Sequence, residues 1–327
     1  MGGEAAYCKR RGQAGTPLFC RAGRSTAPTC PVGRAWRKAG RTLCWRPDFL
    51  RYSMRVPVLA YHAVNIAGND YAGNDLVAFA ADLRLIDDLG LRIVPLHWVV
   101  EQLTGAAERD LGRCVALTCD DGSAFDFHDL VHPAHGPQRS LYHCMLDFVA
   151  ERGADAQPDL HLTSFVIASP EARERMDQVC LAGLGWMGED WWRDAAESGL
   201  IAIENHSWDH NHPCLETPGV DGMPRGSFLD VDNHVRAEAE IAAATRFIEA
   251  RIAPRPTRIF CYPFSHVPEY VHREYLPQFG HEHGMTAAMG DGAMPVTTGA
   301  DRWNLPRYIC GWHWKSTEAL RGILAGS

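Results

Sequence analysis

No apolar run in this 327-residue chain is long enough to cross a bilayer, so nothing in the sequence supports a membrane-spanning class. The basic opening stretch also lacks the apolar core that a secretory leader requires. Closely spaced cysteine pairs are missing as well. Cys8, Cys20, Cys30 and Cys44 follow one another at intervals of 12, 10 and 14 residues, which excludes a zinc ribbon. The other seven cysteines (Cys114, Cys119, Cys144, Cys180, Cys214, Cys261 and Cys310) are odd in number and irregular in spacing. Several lie inside apolar runs, as small buried hydrophobes do. Free thiols in a reducing compartment are therefore expected, and a cytoplasmic location with them. No internal repeat or low-complexity segment is visible beyond the head of the chain.

What is present is a substantial apolar content, 46%, enough for one large core. Charge is unevenly shared. Residues 1–55 carry 12 Lys and Arg against Glu4 and Asp48, a net +10, whereas the remainder carries −18 and the whole −8. A basic head could serve as a nucleic-acid arm, but a body of this charge repels phosphates and no aromatic platform interleaves with the basic residues. Nucleic acid is not expected as a partner, and neither is a membrane. The head is rich in Arg, Gly, Pro and Cys and gives way abruptly at Met54 to strand-like sequence. The expected organisation is a disordered basic extension over 1–53, with Met54 an alternative translation start, followed by a catalytic domain over 54–327.

Within that domain, short β-rich apolar runs alternate with helical patterns. The expected strands are Val56–Ala60, Leu91–Val94, Arg113–Thr118, Leu162–Ala168, Leu200–Glu204, Arg258–Tyr262, Met285–Met289 and Arg307–Cys310. Between them come the Leu76, Phe79, Leu83 and Ile86 stripe, Ser140–Glu151, Trp191–Ser198 and Val231–Arg251, the last stopped by Pro254 and Pro256. Such alternation implies an α/β fold with a parallel sheet closed, or nearly closed, into a barrel. Sites in such barrels gather at the C-terminal strand ends. The stretches 125–139 and 214–230 read as irregular loops over that face.

Two stretches carry the chemistry. Leu117-Thr118-Cys119-Asp120-Asp121-Gly122 closes an apolar run with two carboxylates and a glycine. Side chains alternate between the faces of a strand, so adjacent aspartates at a strand end face a shared cleft, where one can bind a metal and the other act as a base. Asp-Asp-Gly is also an ordinary turn sequence. The second stretch, Glu204 to Pro213, follows Leu200-Ile201-Ala202-Ile203 and holds His206, His210 and His212. Residues four apart can aim two imidazoles at one point. Two nitrogens and one carboxylate oxygen, with positions left for water, form an open catalytic metal site.

Together these elements resemble the polysaccharide deacetylase family, the NodB-homology enzymes of carbohydrate esterase family 4. Thr118-Cys119-Asp120-Asp121-Gly122 is similar to the family's Thr-Phe-Asp-Asp-Gly, with Cys119 replacing the aromatic. His206-Ser207-Trp208-Asp209-His210 is similar to its His-Ser/Thr-x-x-His-Pro, with Asn211 replacing the proline. The opening Tyr61-His62-Ala63-Val64 and the stretch Phe260-Cys261-Tyr262-Pro263-Phe264-Ser265 resemble further family motifs, the latter in the branch written Phe-x-Tyr-Pro-x-Gly. The resemblance covers roughly Val56 to Trp314, with the motifs in the family's order. It implies a distorted (β/α) barrel of about seven parallel strands.

The resemblance further implies a metal-dependent hydrolase that removes acetyl groups, N- or O-linked, from a carbohydrate. Asp121, His206 and His210 would hold a divalent ion, zinc first, with cobalt, nickel or iron also suited. Asp120 would be the general base, and a backbone N–H near Tyr262 would stabilise the oxyanion. His313, in Trp312-His313-Trp314, is the candidate acid, with His62 and His266 as competitors. Trp208 is a candidate sugar-stacking surface. Many family members carry, at the position of Cys261, an arginine that holds the catalytic aspartate; Arg307 is the candidate replacement from the next strand end. His212 remains a rival to His210. Two alternatives stand beside this reading: a catalytically silent carbohydrate-binding protein on the same barrel, and a hydrolase of small non-sugar amides. Substrate identity and oligomeric state are not legible.

Overall fold

The computed structural model describes residues 54–326; the basic extension expected over 1–53 lies outside them. Eight parallel strands form the main sheet: β1 Val58–Tyr61, β2 Arg92–Ile93, β3 Cys114–Cys119, β4 Leu162–Val166, β5 Ile201–Asn205, β6 Ile259–Cys261, β7 Ala287–Met289 and β8 Tyr308–Ile309. Seven of them follow one another across the sheet in the order β7-β6-β5-β4-β3-β1-β8, and β2 pairs with the start of β3. All eight expected strands are present, most trimmed by a residue or more at one or both ends. The sheet is the curled, distorted (β/α) barrel that the alternating pattern implied.

The stretch ahead of β8 joins the two edges of this sheet. Leu305 pairs with Met289 of β7, and three residues later Tyr308 and Ile309 pair with Leu59 and Ala60 of β1. Arg307 lies in this bridging stretch, which sets it over the barrel interior.

Strand periodicity sorts the side chains into two layers. Leu59, Val115, Leu117, Cys119, Leu162, Val166, Ile201 and Ile203 pack outward against the helices in the largest core cluster. Val58, Cys114, Ala116, Phe165, Ile259, Cys261, Ala287 and Met289 fill the interior. The outer layer includes the helices Asp75–Asp88, Leu141–Arg152, Pro170–Cys180 and Ala243–Ile252. Their starts follow capping rules: Asn74, Ser140 and Ser169 each accept a hydrogen bond from a backbone N–H of the first turn, and Pro170 occupies the first helical position. Helices at Leu96–Thr104, Pro170–Cys180 and Thr317–Leu324 were not expected. Nor is the stretch 125–139 wholly irregular, because Leu130–His132 and Gly136–Gln138 pair as a small antiparallel hairpin.

Candidate metal centre

At the end of β3 the alternation carries Ala116, Thr118 and Asp120 along the interior face. Asp121 follows in a left-handed conformation, φ 75°, which Asp tolerates better than most residues. Gly122 is obligatory there. Its φ is +71°, and a Cβ on it would lie 2.5 Å from Val166 Cγ1. The turn after the aspartates is therefore pressed against β4, which fixes the direction of both carboxylates.

The histidines come from the end of β5. Asn205 faces the helices, where its side-chain amide donates to Ile241 O at 3.0 Å and Thr245 Oγ1 at 2.9 Å, while its Oδ1 accepts from Ser207 N at 2.7 Å. His206 then falls on the interior face. Ser207, His210 and Asn211 all adopt positive φ, so this is a strained loop stabilised by its own polar contacts. Ser207 Oγ accepts from His210 N at 2.8 Å. Asn211, standing where the family has proline, is fully buried and latches the following loop: its amide donates to Pro224 O at 2.8 Å and Ser227 O at 2.7 Å.

The geometry brings Asp121, His206 and His210 together. Nε2 of His206 and Nε2 of His210 lie 3.7 and 3.8 Å from Asp121 Oδ1. A nitrogen and an oxygen sharing a tetrahedral divalent ion sit about 3.4 Å apart, given bonds of about 2.1 Å, so these donors need to close by only a few tenths of an ångström. His206 Nδ1 pairs with the Cys261 carbonyl at 2.8 Å. As the donor of that bond it leaves Nε2 unprotonated and aimed at Asp121, a common support for a metal-binding imidazole. His210 is buried, and its Nδ1 has no hydrogen-bond partner among the described residues. Burial lowers the proton affinity of both rings; nearby carboxylates partly offset this for His206, and neighbouring histidines add to it for His210. Neutral imidazoles are the form a cation requires. The donor set therefore fits a divalent ion.

Asp120 is held differently. Arg307 grips it with two hydrogen bonds, Nη1 to Oδ1 at 2.7 Å and Nη2 to Oδ2 at 2.8 Å, and both residues are buried. Burial alone would raise this carboxyl; the guanidinium overcomes it and holds Asp120 well below the ordinary carboxylate range. Cys261 completes the group, its Sγ 3.0 Å from Arg307 Nη2 and 3.6 Å from Asp120 Oδ2. A thiol at position 261 is small enough to leave room for a guanidinium arriving from the far edge of the sheet.

Other candidates are placed elsewhere. Tyr262 follows Cys261 and so faces the helices, inside a separate cluster with Phe228, Phe260 and Tyr275. Its N–H donates to Met289 O at 3.0 Å and its hydroxyl to Trp303 O at 3.0 Å, so neither group is free for an oxyanion; the strand alternation that delivers Cys261 to the site turns Tyr262 away. Trp208, partly buried, packs edge-on against Phe247 at 5.5 Å and against the outer core. His313 is half-buried, its Nδ1 accepting from Ile309 N at 2.8 Å, and the nearby charge that acts on it is Asp291. His62, directly after β1, is half-buried, and its Nδ1 has no hydrogen-bond partner among the described residues. His266 is influenced by Asp230. His212 leaves the Asp121 group to His210 and lies beside Cys180 and Cys214.

The family model for polysaccharide deacetylase matches residues 107–284. No curated protein matches the chain. Among solved structures, IcaB from Ammonifex degensii is 18% identical, with a TM-score of 0.52 over 83% of this chain and 97% of that one. A de-N-acetylase from Aggregatibacter actinomycetemcomitans is 16% identical, with a TM-score of 0.54 over 81% and 98%. A polysaccharide deacetylase from Bacillus cereus is 15% identical, with a TM-score of 0.53 over 84% and 70%. At these identities the structural likeness speaks for the barrel alone.

Proposed function

Because the chain belongs to the polysaccharide deacetylase family, we propose that it is a metal-dependent hydrolase removing N- or O-linked acetyl groups from a carbohydrate. The observation that carries this reading is the division of labour between neighbouring aspartates: Asp121 lies 3.7 and 3.8 Å from two imidazole nitrogens, while Asp120 is clamped by Arg307. Asp121, His206 and His210 would hold the ion, with zinc, cobalt, nickel or iron all compatible with two nitrogens and a carboxylate. When bound, a divalent ion supplies Lewis acidity at the acetyl carbonyl and acidifies the attacking water.

The chain's own groups do the rest. Asp120 is the base that takes the water's proton as the oxygen attacks the carbonyl carbon. Its clamp fixes the direction of both oxygens, so the proton arrives at a carboxylate already ionised across the whole neutral range. A base with so low a proton affinity is thermodynamically weak, and its contribution rests on position. The proton needed by the departing amine or alcohol comes from His62, which follows the first strand of the barrel and whose buried Nδ1 has no hydrogen-bond partner among the described residues. His313, the acid expected from the resemblance, accepts the Ile309 N–H at Nδ1, which leaves its Nε2–H as the competing donor.

The decisive assay measures acetate release from a panel of N-acetylated and O-acetylated sugars by the metal-replete protein. Release from a sugar polymer or oligomer, abolished by chelation and restored by added zinc or cobalt, is the expected result. Turnover confined to small non-sugar amides would replace the carbohydrate reading. Sugar binding without acetate release at any metal loading would leave a binding protein on a deacetylase scaffold.

A further inference from the structure

Seven free cysteines lie in the described residues, and two of them meet a histidine that the catalytic reading leaves unused. Cys180 is the last residue of the helix Pro170–Cys180. Cys214 lies two positions beyond His212 in the loop that leaves the second motif. Although they come from separate elements, one ligand atom from each of Cys180, His212 and Cys214 falls within 4.8 Å of the other two. In a tetrahedral zinc site with Zn–S near 2.3 Å and Zn–N near 2.0–2.1 Å, such atoms stand roughly 3.5–3.8 Å apart. The donors therefore stand within about 1.3 Å of ligating separation.

The surroundings suit an ion that enters from solvent. Cys180 is exposed, and His212 and Cys214 are half-buried, so the group opens at the surface. Arg175, on the same helix as Cys180, donates from Nε to Cys214 O at 3.3 Å and pairs with Glu216 at 2.5 Å, holding the loop against that helix. His212 Nδ1 accepts the Cys214 N–H at 3.2 Å, a long bond that ligation at the ring would break, because a neutral imidazole has a single nitrogen lone pair to give. The His212 ring lies 5.9 Å from that of His210, so the two donor sets are neighbours that share no residue.

We propose that Cys180, His212 and Cys214 form a second metal site, selective for a thiophilic divalent ion such as zinc or cadmium and completed by water. Two sulfurs and one nitrogen disfavour magnesium, calcium and manganese, which prefer oxygen. Two thiols give up their protons on binding, so two thiolates neutralise the ion's charge and the imidazole enters neutral. The effect is mechanical: the ion fastens the return of a loop containing three left-handed non-glycine residues, Ser207, His210 and Asn211, to the end of a helix. The site does not depend on the catalytic reading, since none of its donors belongs to the Asp121 group.

Cobalt(II) titration of reduced, metal-stripped full-length protein tests this, because thiolate-to-cobalt charge transfer reports sulfur ligation without reference to activity. The parent should show the charge-transfer band, and Cys180→Ser and Cys214→Ser should each lose it and bind one equivalent less. His206→Ala should keep the band while losing a different equivalent. Cys180 is exposed, so its variant should retain the parent's circular-dichroism spectrum and separate loss of ligation from loss of fold. Equal cobalt binding and an unchanged band in both cysteine variants would overturn the proposal. So would the absence of any thiolate band in the parent.

Discussion

Replacing Arg307 by methionine removes the counter-charge of Asp120 while keeping much of the side chain's volume. Both partners are almost fully buried, 2% and 5% exposed at the side chain, so solvent screens the loss very little. Breaking a buried pair by deleting one member costs about 3–5 kcal/mol, because a charge is left without compensation. At about 2–4 °C per kcal/mol for a domain of this size, the melting temperature at neutral pH should fall by about 6–20 °C. The sign of the pH dependence is fixed by the direction of the Asp120 shift. In the parent, Asp120 is held below its unfolded value, so it contributes stability above the unfolded carboxylate pKa that is lost as pH falls through the folded one. In Arg307→Met, burial is no longer overcome by the guanidinium and the carboxyl rises. The variant's deficit should therefore shrink at acid pH, where Asp120 takes up a proton, and the acid limb of kcat/KM should move to higher pH. Thermal melts at several pH values and a pH–rate profile measure both effects. The double variant Asp120→Asn, Arg307→Met buries neither charge and should recover most of the lost stability. If Arg307→Met melts within about 2 °C of the parent and its acid limb does not move, the guanidinium does not hold the base.

Three further expectations concern the same site. Asp120→Asn should keep its metal while turnover falls by about 10²–10⁴, the usual contribution of a positioned base, whereas Asp121→Asn should lose metal and activity together; elemental analysis beside kcat distinguishes them. His62→Ala should reduce turnover of a poor leaving group far more than His313→Ala does, and equal losses in the two would remove the acid role from His62. Gly122→Ala should destabilise the fold by about 1–3 kcal/mol through overpacking against Val166 and a disfavoured φ, seen as a lowered denaturation midpoint.

The sequence was most informative where local rules and tertiary demands coincide. All eight barrel strands were legible because strands buried on both faces read as short apolar runs bounded by polar turns. Asp121, His206 and His210 could be grouped because they follow two such strand ends. Arg307 was legible only as a guanidinium near a strand end; its reach to Asp120 depends on the stretch at Leu305 and Tyr308 that joins the two sheet edges, a contact 187 residues long in sequence. The placement of Tyr262 in the helix layer was not legible, because a motif does not state which face of its strand lies inward, and one residue of register separates the two layers. The packing of the Trp208 ring against Phe247 was hidden for a similar reason. The helix Pro170–Cys180 carried a readable start in Ser169-Pro170, but its mixed polar surface hid the apolar stripe. The meeting of Cys180 with His212 and Cys214 left no sequence signal, since the donors are neither evenly spaced nor within one element.

The stretch that joins the sheet edges also imposes an order on assembly. Asp120 leaves the ribosome 187 residues ahead of its counter-charge, an interval of about 10–40 s at the usual rate of about 5–20 residues per second. Throughout that time the first strands of the barrel can pair, but the interior carboxylate can be buried only as the neutral acid, or else must keep its water. The nascent barrel therefore stays hydrated at its centre until Arg307 emerges. Dehydration of the pocket around Asp120 and completion of the sheet then become the same late event.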